Sequence, residues 1–283
     1  MASHKALWRL TFHTSVEDEE AITERLYAIT RSYPATRQRP RAKTIRIEAY
    51  FKNRSQLRAA ERFLKDHKPK SSVLPYENWA ESWKKNFPIL RIGKRILIKP
   101  SWRNHRPHHD EVVIELDPGM SFGTGQHATT RFCLAMLDRL SASRLPLSLL
   151  DLGTGSGILA IAGIKLGFAP VVAVDNDPQA VRIAKRNASN NGVRFPISVR
   201  PLEAFSASTK FNVVTANLLA DLILAQRRKL ASLTAPGGFL ILAGILTREA
   251  PEIKRAFLGL GFKRFAFETR ANWTGLTFRK PSS

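Results

Sequence analysis

Residues 149–176 read LLDLGTGSGILAIAGIKLGFAPVVAVDN, and this run constrains the chain more than any other. A short apolar segment reaches Asp151, the chain turns through Gly153, Gly155 and Gly157, and an apolar helical segment follows to about Leu166. A second apolar segment, 171–174, ends on Asp175. The order is strand, glycine turn, helix, strand, acid. Glycines allow a tight turn and a close approach of a ligand to the main chain, and the helix that follows points unpaired N–H groups at that ligand. An acid at the tip of the next strand, some twenty residues on, accepts hydrogen bonds from both hydroxyls of a ribose. The stretch is built to hold a nucleoside.

The glycines alone leave the nucleoside open. Gly155, Gly157 and Ala160 fit the dinucleotide pattern G-x-G-x-x-A, so a nicotinamide or flavin cofactor competes. However, the run D-x-G-x-G-x-G beginning at Asp151 resembles the first motif of class I S-adenosylmethionine-dependent methyltransferases. An acid at that strand tip suits the α-ammonium of such a cofactor and would repel a pyrophosphate.

The 283 residues are enough for one large or two modest domains. With 43% hydrophobic and 24% charged residues the composition is that of a soluble globular chain. No apolar stretch approaches the roughly 18 residues of a membrane span, and the first residues lack the apolar core of a signal peptide. Cys133 is the single cysteine, so an internal disulfide is excluded and a cytoplasmic setting is expected. The net charge is +22, divided as +13 over residues 1–110 and +9 over 111–283. Such a field favours polyanions, so contact with ribosomal RNA through the basic surface is an expectation beside that of a merely solvated surface.

Taken in order, residues 8–12 alternate as a strand, 17–29 form a helix with an acidic first turn, and 31–43 read as a basic loop. Residues 44–51 alternate again, and 55–67 carry Leu57, Ala60, Phe63 and Leu64 at helical spacing. Strand, helix, strand, helix in so short a span predicts a split-βαβ sandwich of the ferredoxin-like kind. Residues 69–75 read as a linker, and the helix that follows carries Trp79 and Trp83 on one face. His105, His108, His109 and Asp110 have a metal-like composition but no ligand spacing, so they read as a polar loop and no metal is expected.

Residues 117–130, DPGMSFGTGQHATT, describe a loop closing onto a helix start, with Phe122 placed to pack against a cofactor and Thr130 to hydrogen-bond its amino-acid end. Beyond the central unit come a helix at 178–191, strands at 195–199 and 211–216, Asn217 at a strand tip, a strand at 239–243, a helix at 248–258, and two final strands with no helix between them. This order predicts an α/β protein with a seven-stranded class I methyltransferase sheet ending in an antiparallel edge hairpin.

Several runs converge: DPGMSFGTGQHATT, DLGTGSGILAIAGIKLG, VVAVDNDPQAVRIAKRNASNNGV and ANLLADLI, preceded by WKKNFPILRIGKRILIKPSW. Together they resemble the PrmA family of bacterial ribosomal protein methyltransferases, whose substrate is protein eleven of the large subunit. The resemblance covers residue 77 to the C-terminus by motif, and the N-terminal segment by arrangement and size. It implies S-adenosylmethionine contacts at Thr130, Gly153, Asp175 and Asn217. It also implies an N-terminal domain that grips the ribosomal protein, and transfer to lysine ε-amines and the N-terminal α-amine. The expected division is a substrate-binding domain at 1–72, a linker helix region at 73–88 and the methyltransferase domain at 89–283, in a monomer. The +22 charge departs from the more acidic members typical of the family. Asn217 is the candidate to orient the amine, with Gly155 and Asp151 completing the cofactor set. No Asp-Pro-Pro-Tyr or Asn-Pro-Pro-Tyr run is present, which argues against transfer to an amide or a base nitrogen, and no general base is assigned, His127 reading as structural. The alternative is an RNA methyltransferase that uses the same cofactor site and a basic N-terminal half.

Overall fold

Alternation in the first seventy residues becomes a one-sided sheet. In the computed structural model, the described residues are 7–30, 32–38, 44–74, 88–117, 127–142 and 146–282. They divide into two compact units, Met1–Pro88 and Ile89–Ser283.

The first unit runs β1 (Leu7–Ser15), α1 (Glu19–Thr30), β2 (Ala35–Gln38), β3 (Thr44–Phe51), α2 (Arg54–Phe63) and β4 (Lys70–Leu74). The strand order is β2-β3-β1-β4 with every neighbouring pair antiparallel, the ferredoxin-like arrangement expected from the sequence. One face of the sheet supplies Leu10, Phe12, Ile45, Ile47, Ala49 and Phe51, which pack on Ile22 and Leu26 of α1 and Leu57 and Ala60 of α2. Burying each large apolar side chain contributes roughly 1.5–3 kcal/mol. The Asn53 side chain caps α2 by accepting the Gln56 N–H. Two expectations fail here. Residues 31–43, read as loop, contain β2, and residues 69–75, read as linker, contain β4, paired with β1 from Leu7↔Leu74 to Thr11↔Lys70. Both are short edge strands of mainly polar residues, held by backbone pairing with a central strand, so they carry no hydrophobic period. The pair Trp79 and Trp83 lies outside the described residues.

The second unit opens with a small sheet of β5 (Leu90–Ile92), β6 (Ile96–Lys99) and β7 (Val112–Glu115). Then follow α3 (Ala128–Leu140), β8 (Leu149–Leu152), α4 (Ile158–Lys165), β9 (Val171–Asp175), α5 (Pro178–Asn190), β10 (Ile197–Val199) and β11 (Phe211–Asn217). The chain ends with α6 (Ala220–Ala225), α7 (Arg227–Leu233), β12 (Thr234–Leu246), α8 (Ala250–Gly259), β13 (Lys263–Arg270) and β14 (Trp273–Arg279). The sheet order is β10-β9-β8-β11-β12-β14-β13. The first five strands are parallel and β14 runs antiparallel to both neighbours, so the final hairpin lies at the sheet edge as expected. This is the seven-stranded class I methyltransferase fold. Both faces are covered: Leu149, Val171, Val213 and Ile241 pack with α3 and α4, and Leu150, Val174, Val214 and Leu240 pack with α6, α7 and α8. That double burial is why these strands read as unbroken apolar runs.

Candidate active site

Parallel register decides which residues meet at the carboxyl ends of the central strands. Leu152 of β8 pairs with Val174 of β9 on one side and Ala216 of β11 on the other. The next residue on each strand is therefore Gly153, Asp175 and Asn217, side by side at the edge where open α/β sheets bind ligands. The turn itself uses three left-handed residues, Gly153 (φ +73°), Gly155 (φ +53°) and Gly157 (φ +82°). At Gly153 the demand is double, because a Cβ would also run into the Leu218 side chain. Gly157 then opens α4, whose first N–H groups face the turn.

The two acids of the motif do different work. Asp175, 9% exposed at the tip of β9, accepts the Gly155 N–H at 2.8 Å through Oδ2 and the Asp177 N–H at 3.0 Å through Oδ1. Asp151 is 0% exposed. Its Oδ2 accepts the Thr154 hydroxyl at 2.6 Å and its Oδ1 accepts the Thr215 hydroxyl at 2.7 Å. Burial pushes its pKa up to about 6, against the pull of the two threonines, and the Asp175 charge adds to the rise. The sequence expectation of a direct contact with a cofactor's ammonium is not what the geometry provides. Asp151 is enclosed because β8 is an inner strand covered on both faces, and it braces the turn to β11. Thr154 and Thr215, which fix it, escaped the sequence reading; only the threonine inside the glycine run marked one of them.

Two buried polar atoms of this unit have no hydrogen-bond partner among the described residues: Asn217 Oδ1, at the strand tip beside this turn, and Thr130 Oγ1, at the start of α3. Thr130 is 1% exposed in the first turn of α3. Its neighbour one turn on, Cys133, is buried, and burial together with the Asp151 charge pushes its thiol up, so this end of α3 lies within electrostatic reach of the glycine turn. Leaving such an atom unpaired costs about 1–3 kcal/mol, so each of the two is open to a hydrogen bond from an outside group. A cofactor with an amino-acid end and a ribose fits these donors and acceptors: hydroxyl, amide carbonyl, bare turn and carboxylate. Phe122 lies outside the described residues.

His127 caps this corner. Its Nδ1 lies 2.7 Å from Thr129 Oγ1, its ring meets Trp273 edge-on at 4.9 Å, and burial lowers its pKa. Trp273, which the sequence reading treated only as strand, lines a shallow cleft with Thr129, Phe132, Glu268 and Arg270. Leu219, fully outside the core at the N-terminus of α6, follows Asn217 by two residues. The histidine loop is a polar network: Glu111 takes His105 Nε2 at 2.6 Å, the His108 N–H at 3.1 Å and Arg91 at 2.5 Å. Those partners, His105 foremost, hold the Glu111 carboxyl down to about 2. No described helix is long and apolar enough to cross a membrane.

Comparison with known proteins agrees with the fold. The family model described as ribosomal protein L11 methyltransferase (PrmA) matches residues 6–281. A protein of Geobacter metallireducens named ribosomal protein L11 methyltransferase is 38% identical over 247 residues, covering 82% of this chain and 81% of its own length. A protein of the same name from Citrifermentans bemidjiense is 42% identical over 217 residues, covering 75% of this chain and 70% of its own. Among solved structures, the ribosomal protein L11 methylase of Lactobacillus delbrueckii subsp. bulgaricus superposes with a TM-score of 0.62 at 34% identity, over 69% of this chain and all of that one. The chain belongs to the ribosomal protein L11 methyltransferase (PrmA) family.

Proposed function

We propose that this protein transfers methyl groups from S-adenosylmethionine to lysine ε-amines and the N-terminal α-amine of ribosomal protein L11. The observation that carries the reading is Asn217 Oδ1, buried and orphaned at the strand tip beside the bare turn at Gly153, with Thr130 Oγ1 likewise orphaned at the start of α3. When bound, the cofactor supplies an electrophilic methyl on a good leaving group, so the chain mainly has to align a neutral amine with it. Asp175 grips the ribose hydroxyls while its Gly155 bond holds the turn in place. Gly153 and Gly155 let the main chain close on the nucleoside, and the Thr130 hydroxyl bonds its amino-acid end. Asp151 touches no ligand; it keeps β8 and β11 in step through Thr154 and Thr215, and with them Gly153 and Asn217.

Asn217 Oδ1 accepts an N–H of the incoming amine and turns its lone pair toward the methyl. A free lysine ammonium has a pKa of about 10.4 and must shed a proton first. Apolar surroundings disfavour the charged form, and Leu219, two residues beyond Asn217, supplies such surface at the strand tip. His127, neutral through burial and engaged with Thr129, orders the start of α3. One chain carries the whole constellation, so the protein works as a monomer. The first unit, Met1–Pro88, whose sheet runs on through β4 to Leu74 rather than ending at residue 72, holds the ribosomal protein, and Ile89–Ser283 carries the chemistry. The test is incubation with methyl-labelled S-adenosylmethionine and total ribosomal proteins, with and without ribosomal RNA. Label in the L11 band, lost in Asn217→Ala, is expected; label in RNA, or in no band, overturns the proposal.

A further inference from the structure

Asp151 is fully enclosed, and the groups that face it are neutral donors or a second anion. From the turn, Thr154 donates to Oδ2 at 2.6 Å, and from β11, Thr215 donates to Oδ1 at 2.7 Å. The Ala160 N–H, in the first turn of α4, pulls the same way. From β9 comes the Asp175 carboxylate, and from α3 the Cys133 thiol, which burial keeps protonated. Among the described residues no Lys, Arg or His forms an ion pair with Asp151 or Asp175, in a chain of net charge +22. The other charged groups of these helices are turned elsewhere. Asp138 of α3 is locked to Arg95, Arg131 reaches the Arg91 carbonyl, and Lys165 of α4 donates to the Val113 carbonyl. His127 is neutral through burial and engaged with Thr129.

The carboxyl is therefore balanced. Three donors favour its charged form, burial and the Asp175 charge favour the neutral one, and it titrates at about 6. A buried carboxylate without a protein cation is free to take its counter-charge from a ligand. Asp151 feels Asp175 on one flank and is felt by Cys133 on the other, one turn from Thr130. On the reading above, those flanks hold the ribose and the amino-acid end, and sulfur is the atom that joins these two parts of the cofactor. S-adenosylmethionine carries positive charge on sulfur and on its ammonium; S-adenosylhomocysteine, left after transfer, has lost the charge on sulfur.

We infer that Asp151 is a charge-selecting residue of the cofactor site: the arriving sulfonium drives off its proton, and the ionised carboxylate favours the sulfonium cofactor over the thioether product. It acts through the turn, without touching the ligand. The inference rests on the assignment of this corner to S-adenosylmethionine.

The experiment is titration calorimetry of the full chain at pH 5.5 in buffers of different ionisation enthalpy, which counts the protons exchanged on binding. Release of about half a proton is expected with S-adenosylmethionine, the value for a carboxyl that holds its proton about tenfold more weakly in the complex. Clearly less is expected with S-adenosylhomocysteine. From pH 7 to pH 5 the Kd for S-adenosylmethionine is expected to rise about fivefold, and its preference over S-adenosylhomocysteine to fall about twofold. In Asp151→Asn the two threonine hydroxyls still find partners, one by donating to Oδ1 and the other by accepting from Nδ2. That variant is expected to release no proton and to keep an affinity near the parent's low-pH value throughout. Thr215→Val takes a donor from Oδ1, so release is expected to persist with its midpoint at higher pH. Circular dichroism melts check that each variant folds. Binding without proton exchange, equal release with both compounds, or release that persists in Asp151→Asn overturns the inference and leaves the cofactor assignment intact. No heat with either compound at any pH overturns the assignment, and the inference with it.

Discussion

The two sheets hide their strands differently, and polar residues settle where each leaves room. The N-terminal sheet packs one face on its helices, and the other carries mainly polar side chains from Arg9 to Lys70, with Leu7 buried at one end. The C-terminal sheet is covered on both faces by helices, so the polar side chains of its central strands gather at the carboxyl ends, at Asp175 and Asn217, with Asp151 and Thr215 locked just inside. A one-sided sheet offers a broad, loosely specified surface; a two-sided sheet offers a narrow site with fixed partners. Chemistry that needs alignment to a fraction of an ångström belongs at the second, and adaptable contact belongs at the first.

That contrast predicts unequal responses to substitution. The largest effect is expected at Asn217→Ala, where loss of the amine's acceptor lowers kcat about a hundredfold with the cofactor affinity less affected; single-turnover assays with L11 measure it. Asp175→Ala removes a charged acceptor, and cofactor affinity is expected to fall about 10–100-fold by calorimetry; an unchanged affinity would remove the ribose assignment. Gly153→Ala forces a Cβ into a left-handed position against Leu218, with an expected cost of roughly 1–3 kcal/mol in stability and a weaker cofactor site, read by thermal melts with and without ligand.

Asp151 sharpens the comparison through pH. The folded protein holds the proton to about pH 6, whereas the unfolded chain releases it near 3.8. Between those values the native state binds more protons, so stability falls as pH rises through the window and levels off above it. The full effect is about 3 kcal/mol. Asp151→Asn is expected to flatten that part of the curve in melts from pH 4 to 7; a slope identical to the parent would mean the carboxylate is not desolvated. The smallest effect is expected on the N-terminal sheet, where Arg37→Glu/Arg46→Glu is expected to raise the KM for free L11 about threefold with kcat unchanged, read by steady-state methyl transfer. A drop in kcat would join the two regions functionally.

Legibility followed the same division. The doubly buried strands and the edge hairpin could be read because both demand long apolar runs or strict alternation. Gly153, Asp175 and Asn217 could be read because a turn, a strand tip and a sheet edge fix their positions whatever the rest of the chain does. Strands β2 and β4 could not, because Ala35–Gln38 and Lys70–Leu74 bury little and depend on partners distant in sequence. Helices α6 and α7 were missed for a related reason: they are short, and Gln226 joins them end to end. Asp151 shows the limit most clearly. Its place beside the glycine turn was evident, but its enclosure depends on Thr215, sixty-four residues away on another strand.

Titration calorimetry on the intact chain tests the central claim most directly. The account predicts heat of binding with S-adenosylmethionine, lost or strongly weakened in Asp175→Ala, and none with a reduced nicotinamide dinucleotide. A clear signal from the dinucleotide with silence from the sulfonium compound would contradict it.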